Sequence, residues 1–211
     1  PLCCAQFGAD EIRQEIASEL HTPRSNRGLF NYVVYENAPR AHMMREWERE
    51  LGDLAEFKLM PSNDRTRYWD LSRYERFQEW SSYKCSIIVP LVKDLSTRVF
   101  DALAAGQIPI VPEEIQDLDS VCSRELQSQL GIVRIPALTA HDLSIGIQQA
   151  VANFDKLGAN GIIARSEYVV QQGLLGHRLL HMLQTLSSIA HGPASLVFGN
   201  GPNGIGCYLN R

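Results

Sequence analysis

The sequence predicts an α/β fold, a doubly wound and mainly parallel Rossmann-like sheet followed by a helical C-terminal segment. Short β-branched and aromatic runs alternate with amphipathic stretches from Phe30 to Phe154. Such alternation implies parallel strands joined by right-handed crossovers, with helices on both faces. One run, Cys85 to Val92 (CSIIVPLV), is nearly continuous in apolar residues, as a strand covered on both faces must be.

Each element has its own signal. Residues 9–20 place Ile12, Ile16 and Leu20 at helical spacing. After a polar break, Phe30 to Tyr35 (FNYVVY) reads as a buried strand. Residues 39–51 read as a helix, with Pro39 in its first turn and Met43, Trp47 and Leu51 recurring every four residues. Ala55 to Met60 is a short strand and 70–82 a polar, aromatic helix. Beyond Cys85–Val92 come a helix over 97–105, a strand Ile108 to Val111, a helix over 120–130 and a strand Ile132 to Ile135. Thr139 caps a helix over 141–154, with Asp142 three residues on. Helical patterning returns over roughly 161–190, and SLVFGNGPNGIGCYLN reads as a hairpin around a Gly- and Asn-rich turn. The expected division is 1–27 as a linker or packing helix, 28–190 as a ligand-binding domain and 191–211 as a hairpin or tail.

Composition excludes several classes. The 211 residues are 45% hydrophobic and 21% charged, ordinary for a globular domain with a real core. A net charge of -4 supplies no broad basic field, so nucleic acid is not an expected partner. No apolar run approaches the ~20 residues of a spanning helix. The five cysteines are irregularly spaced and form no Cys-x-x-Cys pair, which suggests neither a zinc site nor a disulfide framework. A reducing, cytoplasmic setting is expected, with peripheral membrane association left open. The start, PLCCAQFG, lacks an initiator Met and suggests a piece of a longer protein.

The most informative stretch is KCSIIVPLVKDLSTRVFDALAAGQIPIV, residues 84–111. It reads as strand, polar loop, helix, glycine turn, strand. Ser96 or Thr97 can cap the helix, whose free N–H groups and positive dipole end would face the strand's carboxyl edge. A phosphate suits that place. Lys93 and Arg98 add positive charge, and Gly106 allows the return to the next strand. A plain βαβ unit, with Ser96-Thr97 acting only as a cap, is the competing reading.

Within this stretch, Ser96, Arg98, Phe100, Asp101, Ala102, Ala105, Gly106, Pro109 and Ile110 resemble the donor-domain signature of GT-B-type glycosyltransferases, in the style of the exostosin-like and spore-coat groups. The similarity runs over about residues 28–190 and is specific mainly at the signature. It implies a donor-binding domain that takes a nucleotide-activated sugar and transfers the sugar to a glycan or other acceptor. The partner would be an N-terminal acceptor domain not present in this sequence. The resemblance implies donor contacts from Asp101 and from the loop Pro61 to Arg67, notably Ser62 and Arg65. It requires no metal or other cofactor. Many retaining members carry two glutamates seven residues apart; here the second matches Asp101 and the first falls at Lys93, so a retaining outcome is unsupported. Asp101 could equally serve the helix dipole as an early acid.

Lesser signals are weighed against ordinary roles. Arg40, after the first strand, could reach a phosphate or simply be solvated. His177 and His181 have the i, i+4 spacing of metal ligands but no accompanying carboxylate pattern. Phe198 to Gly204 is glycine-rich without the ending of a phosphate loop. Tyr68, Trp69, Tyr74, Phe77 and Trp80 fit packing better than a binding platform. No residue presents itself as a catalytic base. A non-catalytic nucleotide binder or an interaction module on the same fold remains the alternative.

Overall fold

A computed structural model describes residues 4–63, 70–91, 93–190, 195–201 and 204–210. In chain order the elements are α1 (Ala9–Glu19), β1 (Ser25–Val34), α2 (Pro39–Leu51), β2 (Ala55–Pro61), α3 (Arg73–Ser81), β3 (Tyr83–Ile87) and α4 (Thr97–Ala104). There follow β4 (Ile108–Pro112), α5 (Asp117–Val121), α6 (Arg124–Leu130), β5 (Val133–Ile135), α7 (Ala140–Tyr168), a π-helical turn (Val169–Gly173) and α8 (Leu175–Ala190). The last elements are β6 (Ser195–Gly201) and β7 (Gly204–Asn210).

Strands β1 to β5 form one parallel sheet in the order β2-β1-β3-β4-β5. The five strand segments expected from the sequence are therefore parallel neighbours. The chain steps outward from β1 to β2, then returns to the other side of β1 with β3. With right-handed crossovers this reversal sends helices to opposite faces, the doubly wound arrangement. Open α/β sheets have their crevice at such a reversal, here beyond the carboxyl ends of β1 and β3. The central strands are buried as a two-faced sheet demands: Leu29, Phe30, Cys85, Ile87, Ile108 and Ile110 are wholly inaccessible.

Two tight helix exits set the lower edge of the sheet. After α4, Gly106 (φ 72°) donates its N–H to the Leu103 carbonyl and Gln107 donates to that of Ala102. After α6, Gly131 (φ 79°) and Ile132 repeat the pattern on Ser128 and Gln127. These are Schellman closures, which need a left-handed residue at the turn. Arg165, fully buried, joins the two: its Nε donates to the Gly106 carbonyl at 2.9 Å and its Nη1 to that of Leu130 at 3.0 Å. Arg24 adds a third such bond, to the Ala105 carbonyl at 2.8 Å. Cations at helix C-termini oppose the negative dipole ends.

Boundaries differ from the sequence reading in several places. Strand β1 starts at Ser25, inside the stretch expected to be a linker, and α1 packs beside α3 and α7. Strand β3 ends at Ile87 rather than Val92, before Pro90, which has no N–H for a ladder. The helix expected over 120–130 is two helices, because Cys122 is extended (φ -144°) and Ser123 caps a new start. Helix α7 runs on to Tyr168 with a break at Gly158 (φ 55°, ψ -149°), a conformation suited to glycine. The helix expected over 161–190 is interrupted by the π-helical turn. The C-terminal hairpin is an antiparallel pair, Ser195–Gly201 with Gly204–Asn210.

Candidate functional site

The crevice at the β1/β3 switch point is organised by Tyr32. Its ring lies near the end of β1, 3% exposed, and its hydroxyl donates to the Ile87 carbonyl at 2.9 Å. The same oxygen accepts the Val89 N–H at 2.8 Å. Tyr32 thus fastens the carboxyl end of β1 to that of β3. Burial pushes its phenol above the ordinary tyrosine range, partly countered by the Arg98 charge.

Two arginines from two different helix starts meet over this ring. Arg98, in the first turn of α4, holds its guanidinium carbon 4.3 Å from the Tyr32 centroid and 5.9 Å from that of Trp80. Arg40, in the first turn of α2, lies 5.7 Å from Tyr32 and 6.0 Å from Tyr35. Cation–π contacts such as these hold a guanidinium in place without neutralising it. Among the described residues neither arginine forms an ion pair, and the buried Arg40 Nε has no hydrogen-bond partner. Ser96 is the N-cap of α4, its hydroxyl accepting the Arg98 N–H at 3.3 Å, and half-buried Thr97 opens the helix. The cap uses one free N–H of the first turn and leaves others for a ligand. The first turns of α2 and α4 thus bring two cations to one ring, chemistry that suits an anion with several oxygens, with Asp94 a carboxylate near enough to act on the same tyrosine.

The other expected residues divide. Ser62, just past β2, donates its N–H to the Val34 carbonyl at 3.0 Å and so stands at the same edge of the sheet. Arg65 lies outside the described residues. Lys93 adopts a left-handed conformation (φ 59°), is 74% exposed, and pairs with Glu114 at 3.4 Å. Its charge is directed to the end of β4 and shared with a carboxylate, unlike that of Arg98.

Asp101 corrects the expectation of a donor contact. It is 2% exposed, and both carboxylate oxygens are taken: Oδ1 accepts the Gln6 N–H at 2.8 Å and Oδ2 the Gln6 Nε2 at 3.0 Å. Burial raises its pKa to about 6, against the opposing effects of Gln6, Arg98 and Arg76. This aspartate tethers the N-terminal segment to α4 and faces no open crevice.

Other features fall outside the switch point. A cavity of about 500 Å³ lies beside β5, lined by Glu113, Arg124, Arg134, Asn153 and Lys156 among others. Part of its charge is engaged internally, although the buried Nε and Nη1 of Arg134 have no hydrogen-bond partner among the described residues. Arg124 is held in a fork by Glu113 (2.7 and 3.1 Å) and by Asp119 (2.9 Å). His177 and His181 both lie on α8, and among the described residues no group of three His, Cys, Asp or Glu could hold a metal ion. No helix of the described residues is long and apolar enough to cross a membrane.

Tyr32 is the residue that sequence reasoning missed. It stands in FNYVVY as one aromatic of a strand, and nothing local marks its hydroxyl as a bridge to a strand 55 residues away. Neither a family model nor a curated protein matches the chain.

Proposed function

We propose that this chain binds the phosphates of a nucleotide-activated sugar at the β1/β3 switch point and serves as the donor-binding part of a glycosyltransferase. The observation that carries the reading is the convergence of Arg40 and Arg98, from the first turns of α2 and α4, over the buried ring of Tyr32. Ligands of open α/β sheets bind at such reversals of strand order. The reaction class comes from the resemblance of residues 96–110 to the glycosyltransferase signature.

The proposed chemistry is electrostatic. As the bond between sugar and phosphate breaks, negative charge grows on the leaving phosphate oxygens. Arg98 and the N–H groups at the start of α4 strengthen their hold as that charge develops, which lowers the barrier. Arg40 holds the phosphates from the opposite side. The Ser96 and Thr97 hydroxyls add hydrogen bonds, and Ser62, at the same edge of the sheet, is assigned to the nucleoside end. Lys93 and Asp101 take no direct part, being engaged with Glu114 and Gln6. The reading assigns no base to this chain; an acceptor-binding domain would supply it.

Calorimetric titration of nucleoside diphosphates with each common base tests the proposal. Arg98→Ala should weaken binding of the preferred nucleotide by about 1.5–3 kcal/mol, the size of a hydrogen bond to a charged group. Arg40→Ala should act in the same direction, and Lys93→Ala should do less because that ammonium is exposed and screened. Absence of heat with every nucleotide, or unchanged affinity in Arg98→Ala, would overturn it. Turnover with donor sugars in the presence of the acceptor-binding part separates an enzyme from a simple nucleotide binder.

A further inference from the structure

We propose that the exposed apolar face of α8 is a self-association surface, on which two copies of this chain pair as antiparallel helices across a twofold axis. Helix α8 has 16 residues. An isolated helix of that length is marginal in water and draws its stability from a packed face. Among its described side chains only Arg178 is buried, with its guanidinium carbon 4.8 Å from the Phe100 ring centroid. The large apolar side chains lie to one side of this contact. Leu175, Leu179, Leu180, Met182, Leu183 and Leu186 are 36–59% exposed. On a helical projection all but Leu180 fall within an arc of about 100°, a continuous stripe of the kind that faces a partner.

Three features of the stripe favour a second copy as that partner. The first is spacing: Leu175, Leu179, Met182 and Leu186 follow one another at intervals of four, three and four. The series reads the same in both directions, so an antiparallel copy sets Leu175 against Leu186 and Leu179 against Met182. Self-complementarity of this kind is what a twofold interface requires, and the four-three alternation is that of helix pairs with interlocking side chains.

The second feature is charge. Across LGHRLLHMLQTLSSIA the sole Asp, Glu, Lys or Arg is Arg178, and it turns inward. Two identical faces therefore meet without like-charge repulsion. A membrane surface or an acidic partner would instead call for cations flanking the stripe. The third is area. Six half-exposed side chains present roughly 500 Å² of apolar surface, at the upper end of the largest patch on an ordinary monomer. Two such faces closing together bury about 1,000 Å², the lower bound for a specific interface.

The test is sedimentation equilibrium of the full chain across the micromolar range, with circular dichroism to follow the fold. A monomer–dimer equilibrium is expected. Leu179→Glu with Met182→Glu should weaken it by more than about tenfold through like-charge contact at the axis. Mixing that variant with one carrying Leu179→Lys and Met182→Lys should restore a heterodimer, which a misfolded chain could not do. Nucleotide affinity should stay as in the parent chain, since neither residue belongs to the Tyr32 crevice. A chain that is monomeric throughout the range overturns the proposal. So does a dimer indifferent to the glutamate pair, a lack of rescue on mixing, or a monomer that floats with phosphatidylcholine vesicles.

Discussion

Arg98 and Asp101 stand three residues apart on α4 and do opposite work. Arg98 sets its guanidinium against the faces of Tyr32 and Trp80. Asp101 has its carboxylate enclosed by the N-terminal segment. The enclosure has a pH consequence. Its pKa rises from an ordinary 3.8 to about 6, with burial as the main cause. A carboxyl with a raised native pKa holds its proton better in the folded than in the unfolded chain. Between about pH 4 and pH 6 the native state therefore binds more protons, and this group's contribution to stability falls as pH rises. The effect is on the order of 3 kcal/mol across that window. Asp101→Asn removes it. Urea denaturation of both proteins at pH 4 and pH 7 should show the parent losing stability relative to the variant as pH increases. An unchanged difference at the two pH values would contradict the enclosed carboxylate. The sequence contained both residues in a recognisable motif, but inward and outward directions on one short helix depend on Gln6, which lies 95 positions away from Asp101.

Among elements, α4 is shaped at both ends by single residues. Ser96 starts it and Gly106 ends it, and both roles are readable from the local sequence. The packing beyond Gly106 is not. A Cβ at this position would lie 2.6 Å from Cγ2 of Ile162, and the φ of +72° is itself unfavourable for alanine. Gly106→Ala should cost about 1–3 kcal/mol in chemical denaturation, from left-handed strain plus displacement of Ile162. A cost near zero would mean that the turn is not held left-handed. Local signals failed where one helical pattern hides a break. Residues 120–130 carry continuous amphipathic spacing, yet Cys122 is extended and buried while Ser123 caps the next helix. Residues 161–190 likewise look uniform, yet a π-helical turn interrupts them at Val169–Gly173, where a Cβ on Gly173 would stand 3.0 Å from Val169 and 3.2 Å from Phe100.

For the whole molecule, the proposed ligand joins β1, β3, α2 and α4 at once, so binding should stabilise the fold cooperatively. At a nucleotide concentration about 100 times Kd the gain is about 2.7 kcal/mol, readable as a higher Tm. Arg98→Ala should retain the unliganded Tm and lose most of that increase at the same concentration; a lowered unliganded Tm with the full ligand response would make Arg98 a structural residue. By itself the sequence determined the α/β class, the parallel sheet and the five strands, because hydrophobic period and turn chemistry are local properties. It also set the Ser96 cap directly before Arg98 at the α4 start, a local pattern. Tertiary structure alone decided which charges gather there. It brought Arg40 across from α2 to the ring that carries Arg98, turned Lys93 to Glu114, closed Asp101 behind Gln6, and left the leucines of α8 half-exposed. The physical reason is that availability of a charge or an apolar face depends on what stands opposite it. In a sheet ordered β2-β1-β3-β4-β5 the opposite residue is set by crossovers rather than by sequence neighbours.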